Sequence, residues 1–141
     1  MSSFLLKWKL PDSAKPYKDA ISNAENKYGL PPLLLARLLY QESRYRPDII
    51  SGQVKSSAGA VGIAQIVPRW HPDVNPLDPF ASINYAAKYL KSLYNQFGSW
   101  AKALAAYNFG PSNVARYLKG EISSLPLETQ NYVKEITSDV F

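Results

Sequence analysis

The chain contains no cysteine. That excludes disulfides, thiolate metal sites and a cysteine nucleophile. It contains one histidine, His71. A histidine-based zinc site and a two-histidine constellation are therefore impossible, and a Ser-His pair would have to use that residue. The stretch from Met1 to Pro11 has no long apolar run, so neither a secretory signal nor a membrane span is expected there. Lysine and arginine total 16 but never stand three in a row, so no basic patch or recognition stripe is visible. A nucleic-acid-binding helical domain is disfavoured on that ground. There is no low-complexity tract, no 20–50-residue repeat and no internal linker.

What is present is enough for one domain. The 141 residues, 46% hydrophobic and 19% charged, suit a single folded unit over 1–141 with a real core. Net charge is +5, which favours anionic partners such as wall polymers, and equally describes an ordinary basic soluble protein.

Proline and glycine punctuate the chain into helices. Residues 1–12 read as an irregular lead-in, with Trp8 packed on the core. A first helix is expected over 14–28, capped by Gly29. Pro31 and Pro32 open a second, which runs to about Tyr45 and stops before Pro47. Residues 46–61 lack a helical stripe and form a long loop; loops of that length are usually functional. Residues 62–67 read as a short helix ended by Pro68, and 69–79 as an irregular proline-rich stretch. Asp78-Pro79 opens a helix to Phe97. Ser99 caps another, ending near Asn108-Phe109-Gly110. Pro111 starts one more, to Leu118, and a last helix covers about 128–137. Six or seven helices result. The fold class is all-α, with at most a small β-hairpin in the 46–61 loop.

The second helix carries the residue of greatest interest. Its apolar stripe runs Leu35, Leu38, Leu39 and then reaches Glu42. A carboxylate in a leucine's place is either paired, here with Arg37, Arg44 or Arg46, or kept protonated as a general acid. The residues around it leave both readings open. Three further runs carry polar groups. Gly59-Ala60-Val61-Gly62-Ile63-Ala64-Gln65 is a glycine-spaced turn with one amide, and is no phosphate loop because no Gly-Lys-Ser/Thr follows. Ala106-Tyr107-Asn108-Phe109-Gly110-Pro111 sets an aromatic hydroxyl beside an amide at a helix end. Glu128-Thr129-Gln130-Asn131-Tyr132-Val133 is the first turn of an amphipathic helix. Alone, each of these reads as a turn, a helix end or a first turn.

In order, the four runs resemble the catalytic domain of soluble-type lytic transglycosylases, relatives of goose-type lysozyme in the lysozyme-like superfamily. The resemblance covers roughly residues 17–136. It implies a lysozyme-like helical domain in which Glu42 is the catalytic acid and base. It further implies that Ser56, in a Ser-x-x-Gly-Ala context, contacts the sugar at the cleavage point. Gln65, Tyr107, Asn108 and Tyr132 would orient acid and sugar, with Ser43, Ser57, Ala64 and Phe109 as flanking motif positions. The sequence departs from the family pattern at Ala64, where Met is usual, and at Phe109, where Ala is usual. The spacing from Glu42 to Ser56 is a few residues longer than in the family pattern. These departures bear on the sugar subsites, not on the acid.

The resemblance implies a route needing one carboxylate. Protonated Glu42 gives its proton to the oxygen linking MurNAc to GlcNAc, and the MurNAc N-acetyl group stabilises the cationic carbon. Glu42 then takes the proton of the 6-hydroxyl as a 1,6-anhydro ring closes. No cofactor and no metal are implied. The alternatives are a hydrolytic goose-type lysozyme using Asp48 or an acid in 69–79 to position water, and a non-catalytic wall-binding or assembly module. The expected partner is the peptidoglycan glycan strand, with anionic cell-surface polymers secondary, and the chain is expected to act as a monomer. The lack of a signal suggests a phage endolysin or virion-associated lysin, made in the host cytoplasm and delivered to the wall.

Overall fold

The structure is a computed structural model that describes residues 8–141. Among them are a 3₁₀ segment, Asp12–Tyr17, and seven α-helices. These are α1 (Lys18–Tyr28), α2 (Leu34–Ser43), α3 (Pro47–Ile50), α4 (Pro79–Phe97), α5 (Trp100–Phe109), α6 (Pro111–Leu118) and α7 (Leu127–Val140). The all-α expectation holds. Among the described residues the β pairing amounts to one antiparallel bridge, Val61 with Ile66. No described helix is long and apolar enough to cross a membrane. Two compact units divide inside α4, after Lys88.

In the first unit, the irregular lead-in is seen from Trp8 to Pro11, and residues 1–7 of that expectation lie outside the described part. Trp8 does pack on α2, its ring centroid 5.6 Å from that of Tyr40 and 5.8 Å from the Arg37 guanidinium. The first helix starts as a tight 3₁₀ segment containing Pro16 and becomes α-helical only at Lys18. It ends as expected at Gly29, whose φ of 68° lets the Leu30 N–H return to the Glu25 carbonyl at 2.9 Å.

α1 packs on α2. The latter begins at Leu34 rather than at the prolines, because Leu33 adopts φ 72° and breaks the path. Leu33 contributes no side-chain cap. The cap comes from the neighbouring helix: Glu25 Oε1 accepts the Leu33 N–H at 3.2 Å, and Oε2 accepts those of Leu35 (3.0 Å) and Ala36 (3.2 Å). Three donors that a helix start leaves open are thus satisfied by one buried carboxyl. Burial nevertheless outweighs these bonds and pushes the Glu25 pKa up from its ordinary value. A raised folded value favours the protonated form. Its stabilising contribution is full below the unfolded value and is lost as pH rises through the folded one. The melting-temperature gap between wild type and Glu25→Gln should therefore widen from pH 7 to pH 5. A gap that narrows on acidification would mean the ionised form is the one the fold prefers.

α2 buries every residue from Leu34 to Leu39, Arg37 included. It ends at Ser43, two residues before the expected Tyr45, because Arg44 and Tyr45 both turn left-handed, at φ 55° and 53°. The 46–61 loop contains the one-turn α3, opened by Pro47. The helix expected over 62–67 is absent. Val61 and Ile66 exchange backbone hydrogen bonds of 2.9 and 3.0 Å, closing a four-residue turn with Gly62 at φ 82° and Gln65 at φ 49°. The β pairing thus starts at the last residue of the loop in which a hairpin was expected. Residues 69–79 are irregular, as read, yet tied down. His71 Nδ1 lies 2.6 Å from the Tyr85 hydroxyl, and the Ser82 hydroxyl donates to the Asn75 carbonyl at 3.3 Å. Asp78 Oδ1 caps α4, accepting from Phe80 and Ala81 at 3.1 Å each.

The second unit follows its punctuation closely. Ser99 Oγ accepts the Lys102 N–H at 3.1 Å and starts α5. Trp100 stacks on Tyr94 with centroids 4.0 Å apart. α5 buries Ala103 to Ala106, stops at Gly110 and packs on α6, which Pro111 opens. α7 is longer than read, and buries Thr129, Tyr132 and Ile136.

Candidate active site

Glu42 sits in the last turn of α2, half-buried. Each of the three arginines near it in sequence contacts another group. Arg46 makes a two-bond fork with Asp48, Nε to Oδ1 at 3.2 Å and Nη2 to Oδ2 at 2.7 Å. Arg44 stacks on the Tyr40 ring at 4.5 Å. Arg37 donates to Gln41 Oε1 at 2.8 Å. The fork has an electrostatic consequence. The bond from Arg46 holds the Asp48 carboxyl below its ordinary pKa, so Asp48 stays ionised and occupied.

Ser43, next to Glu42, is fully buried and faces its own helix. Its hydroxyl donates to the Leu39 carbonyl at 3.1 Å and accepts the Tyr45 N–H at 3.3 Å. It fixes the exit from α2. Ser56 and Ser57 are exposed. The Ser56 hydroxyl accepts the Ala60 N–H at 2.9 Å, and its backbone pairs with Ala60 and Gly59. The Ser-x-x-Gly-Ala run is thus a closed, self-capped turn with its hydroxyl at the surface. Gln65 is half-buried, and its Nε2 donates to the Gly62 carbonyl at 2.9 Å. That bond orients the amide. Ala64 is fully buried.

In the second unit, Tyr107 is half-buried with its ring 5.8 Å from that of Tyr89. Asn108 is brought onto the Glu-Thr pair of α7. Its Oδ1 accepts from the buried Thr129 hydroxyl at 2.8 Å, and its Nδ2 points toward Glu128 Oε2 at 3.5 Å. The Glu128 carboxylate can only accept, and its contact defines which way the amide faces. Tyr132 lies on the same inward face as Thr129 and Ile136 and is 4% exposed. The carbonyl of Phe109 takes the Asn113 amide at 2.8 Å, bracing the α5–α6 corner.

The family model for the transglycosylase SLT domain matches residues 19–125. The chain belongs to the transglycosylase SLT family. The match takes in Glu42, Gln65 and the Tyr107-Asn108 pair, and stops before Tyr132. The SLT domain is 29% identical over 144 residues to the soluble lytic murein transglycosylase of Escherichia coli K12, an alignment covering 85% of this chain and 22% of that protein. It is 35% identical over 120 residues to the enzyme of the same name from Salmonella typhimurium, covering 68% and 18%. It is 29% identical over 136 residues to the peptidoglycan transglycosylase gp16 of Escherichia phage T7, covering 85% of this chain and 10% of that protein. The SLT domain thus spans between a tenth and about a fifth of these relatives.

Several residues of the SLT domain escaped the sequence reading. Glu25 was readable: it stands four residues after Ile21 on the apolar face of α1, as Glu42 does on α2. The bonds of the Tyr45 and Thr129 hydroxyls were not, since each joins residues 9 or 21 apart.

Proposed function

We propose that this domain is a peptidoglycan lytic transglycosylase that cleaves the MurNAc-β-1,4-GlcNAc bond without water. Glu42, protonated, gives its proton to the glycosidic oxygen as the bond from that oxygen to the MurNAc C1 breaks. The carbonyl oxygen of the MurNAc N-acetyl group bonds to C1 and shares the positive charge. Glu42, now a carboxylate, removes the proton of the C6 hydroxyl. O6 attacks C1 and displaces the acetamido oxygen. The product is a 1,6-anhydro sugar, and the enzyme returns to its protonated state. In this reading Ser56, Gln65, Tyr107, Asn108 and Tyr132 orient the sugar by hydrogen bonds.

The observation that favours this reading over a hydrolase using Asp48 or Asp78 is the engagement of those two acids. Asp48, the next acid after Glu42, is held in the fork with Arg46. Asp78 is used as the cap of α4. A carboxylate whose pKa is lowered by an ion pair is a weaker base for water, which favours the one-carboxylate route over one through Asp48. The proposed partner is the glycan strand, bound by a monomer whose net charge of +5 favours approach to an anionic wall. Synthesis in a host cytoplasm with later delivery to the wall, as for a phage lysin, belongs to the same proposal. Clearing of permeabilised Gram-negative cells by the purified chain supports catalysis; stable binding to sacculi without clearing would leave a wall-binding module instead.

A further inference from the structure

Resting on the reading of Glu42 as the acid, we propose that Glu25 and Tyr45 are positioning residues for it, two ends of one clamp on α2. The need for a clamp follows from where Glu42 sits. The last turn of a helix has carbonyls without intrahelical partners and is the turn that frays. A catalytic carboxyl placed there is held only as well as that turn is held. Misplacement of a reacting group by about 1 Å is enough to cost ~10²-fold in rate.

The clamp is built from a few atoms within the first unit. Just past Glu42 the chain reverses through two left-handed residues, Arg44 and Tyr45. Tyr45, fully buried, runs back along α2, and its hydroxyl donates to the Ala36 carbonyl at 2.7 Å. The same Ala36 gives its N–H to Glu25 Oε2 at 3.2 Å. One residue in the first turn therefore joins a strap from the end of α2 to a carboxyl from α1. Glu25 also takes the N–H groups of Leu33 and Leu35, which fixes the start of the helix. Ser43 closes the far end, its hydroxyl bridging the Leu39 carbonyl and the Tyr45 N–H. Burial, with the Glu25 charge second, drives the Tyr45 phenol far above its ordinary pKa, so it remains a donor at any working pH. The strained left-handed pair costs free energy, and such strain persists where the surroundings over-determine it. Here the surroundings are this network.

The test is steady-state kinetics of Tyr45→Phe and Glu25→Gln on soluble uncrosslinked peptidoglycan strands, at a temperature where circular dichroism shows each variant folded. Glu42→Gln is run beside them. Tyr45→Phe removes one hydroxyl and keeps the ring. Glu25→Gln turns an amide donor toward backbone N–H groups. Each is expected to lower kcat about tenfold with KM within about twofold of wild type. A purely structural role predicts a lower melting temperature with wild-type kcat per folded molecule, and that result overturns the proposal, as does a rise in KM alone. An active Glu42→Gln would instead overturn the assignment of the acid. Should Glu25→Gln not fold, Tyr45→Phe decides alone.

Discussion

Glu42→Gln should abolish measurable clearing of permeabilised cells while leaving the helical spectrum unchanged. General acid and base help of this kind supplies ~10²–10⁴ in rate, and in the proposed route one carboxyl provides both halves in turn. Glutamine fills the same volume and keeps a hydrogen-bonding head, but it neither gives nor takes the proton. The side chain is half-buried at a helix end, so the stability change should stay within about 1 kcal/mol. Loss of activity together with loss of fold would show a structural ion pair rather than an acid. Retained wild-type clearing would remove Glu42 from the chemistry.

The second large effect is expected at Gly62, which the turn around Gln65 cannot replace. A Cβ built there lies 2.0 Å from the Pro76 carbonyl oxygen, a backbone atom that has no rotamer by which to escape. Its φ of +82° is also one that side-chain-bearing residues avoid. Backbone strain and overpacking together should cost Gly62→Ala at least ~3 kcal/mol, or roughly 10 °C in melting temperature for a chain this size. The Gly62 carbonyl holds both the backbone N–H and the side-chain amide of Gln65, so displacing it disorders that amide as well. Gly59→Ala is the matched control. It shares a positive φ of +85° but meets nothing within 4 Å. Its cost should be about 1 kcal/mol, from backbone strain alone. Thermal melts of the two variants side by side check the contrast; equal shifts would mean that the Pro76 contact yields easily.

Where chain direction is set by local chemistry, the sequence showed it. Asp78-Pro79, Gly98-Ser99, Gly110-Pro111 and Gly120 mark helix ends through caps and positive φ, and α4, α5 and α6 lie where these residues put them. The turn over 61–66 was misread because its geometry rests on a tertiary contact. Gly-Ile-Ala-Gln is as apolar as a short helix, and the left-handed Gln65 leaves no trace in residue type. The Pro76 carbonyl lies where a Cβ at Gly62 would stand, and that contact comes from within the irregular 69–79 segment. The site was legible to the extent that its residues stand out of pattern. Glu42 interrupts a leucine stripe. Asn108 and Thr129 were each visible as motif letters, but the bond between them was not, because nothing local couples residues 21 apart. Asp48 is the reverse case. Its partner Arg46 stands only two residues away, so the fork is a local contact.

The central claim is that one carboxylate cleaves the glycan and the sugar's own hydroxyl takes the place of water. Mass spectrometry of the fragments released from purified sacculi by the wild-type chain tests it most directly. The predicted product ends in 1,6-anhydro-MurNAc, one water lighter than a reducing MurNAc end. Fragments that carry the extra water from the first turnovers, and take up isotope from labelled solvent water at that end, would contradict it and make the enzyme a hydrolase.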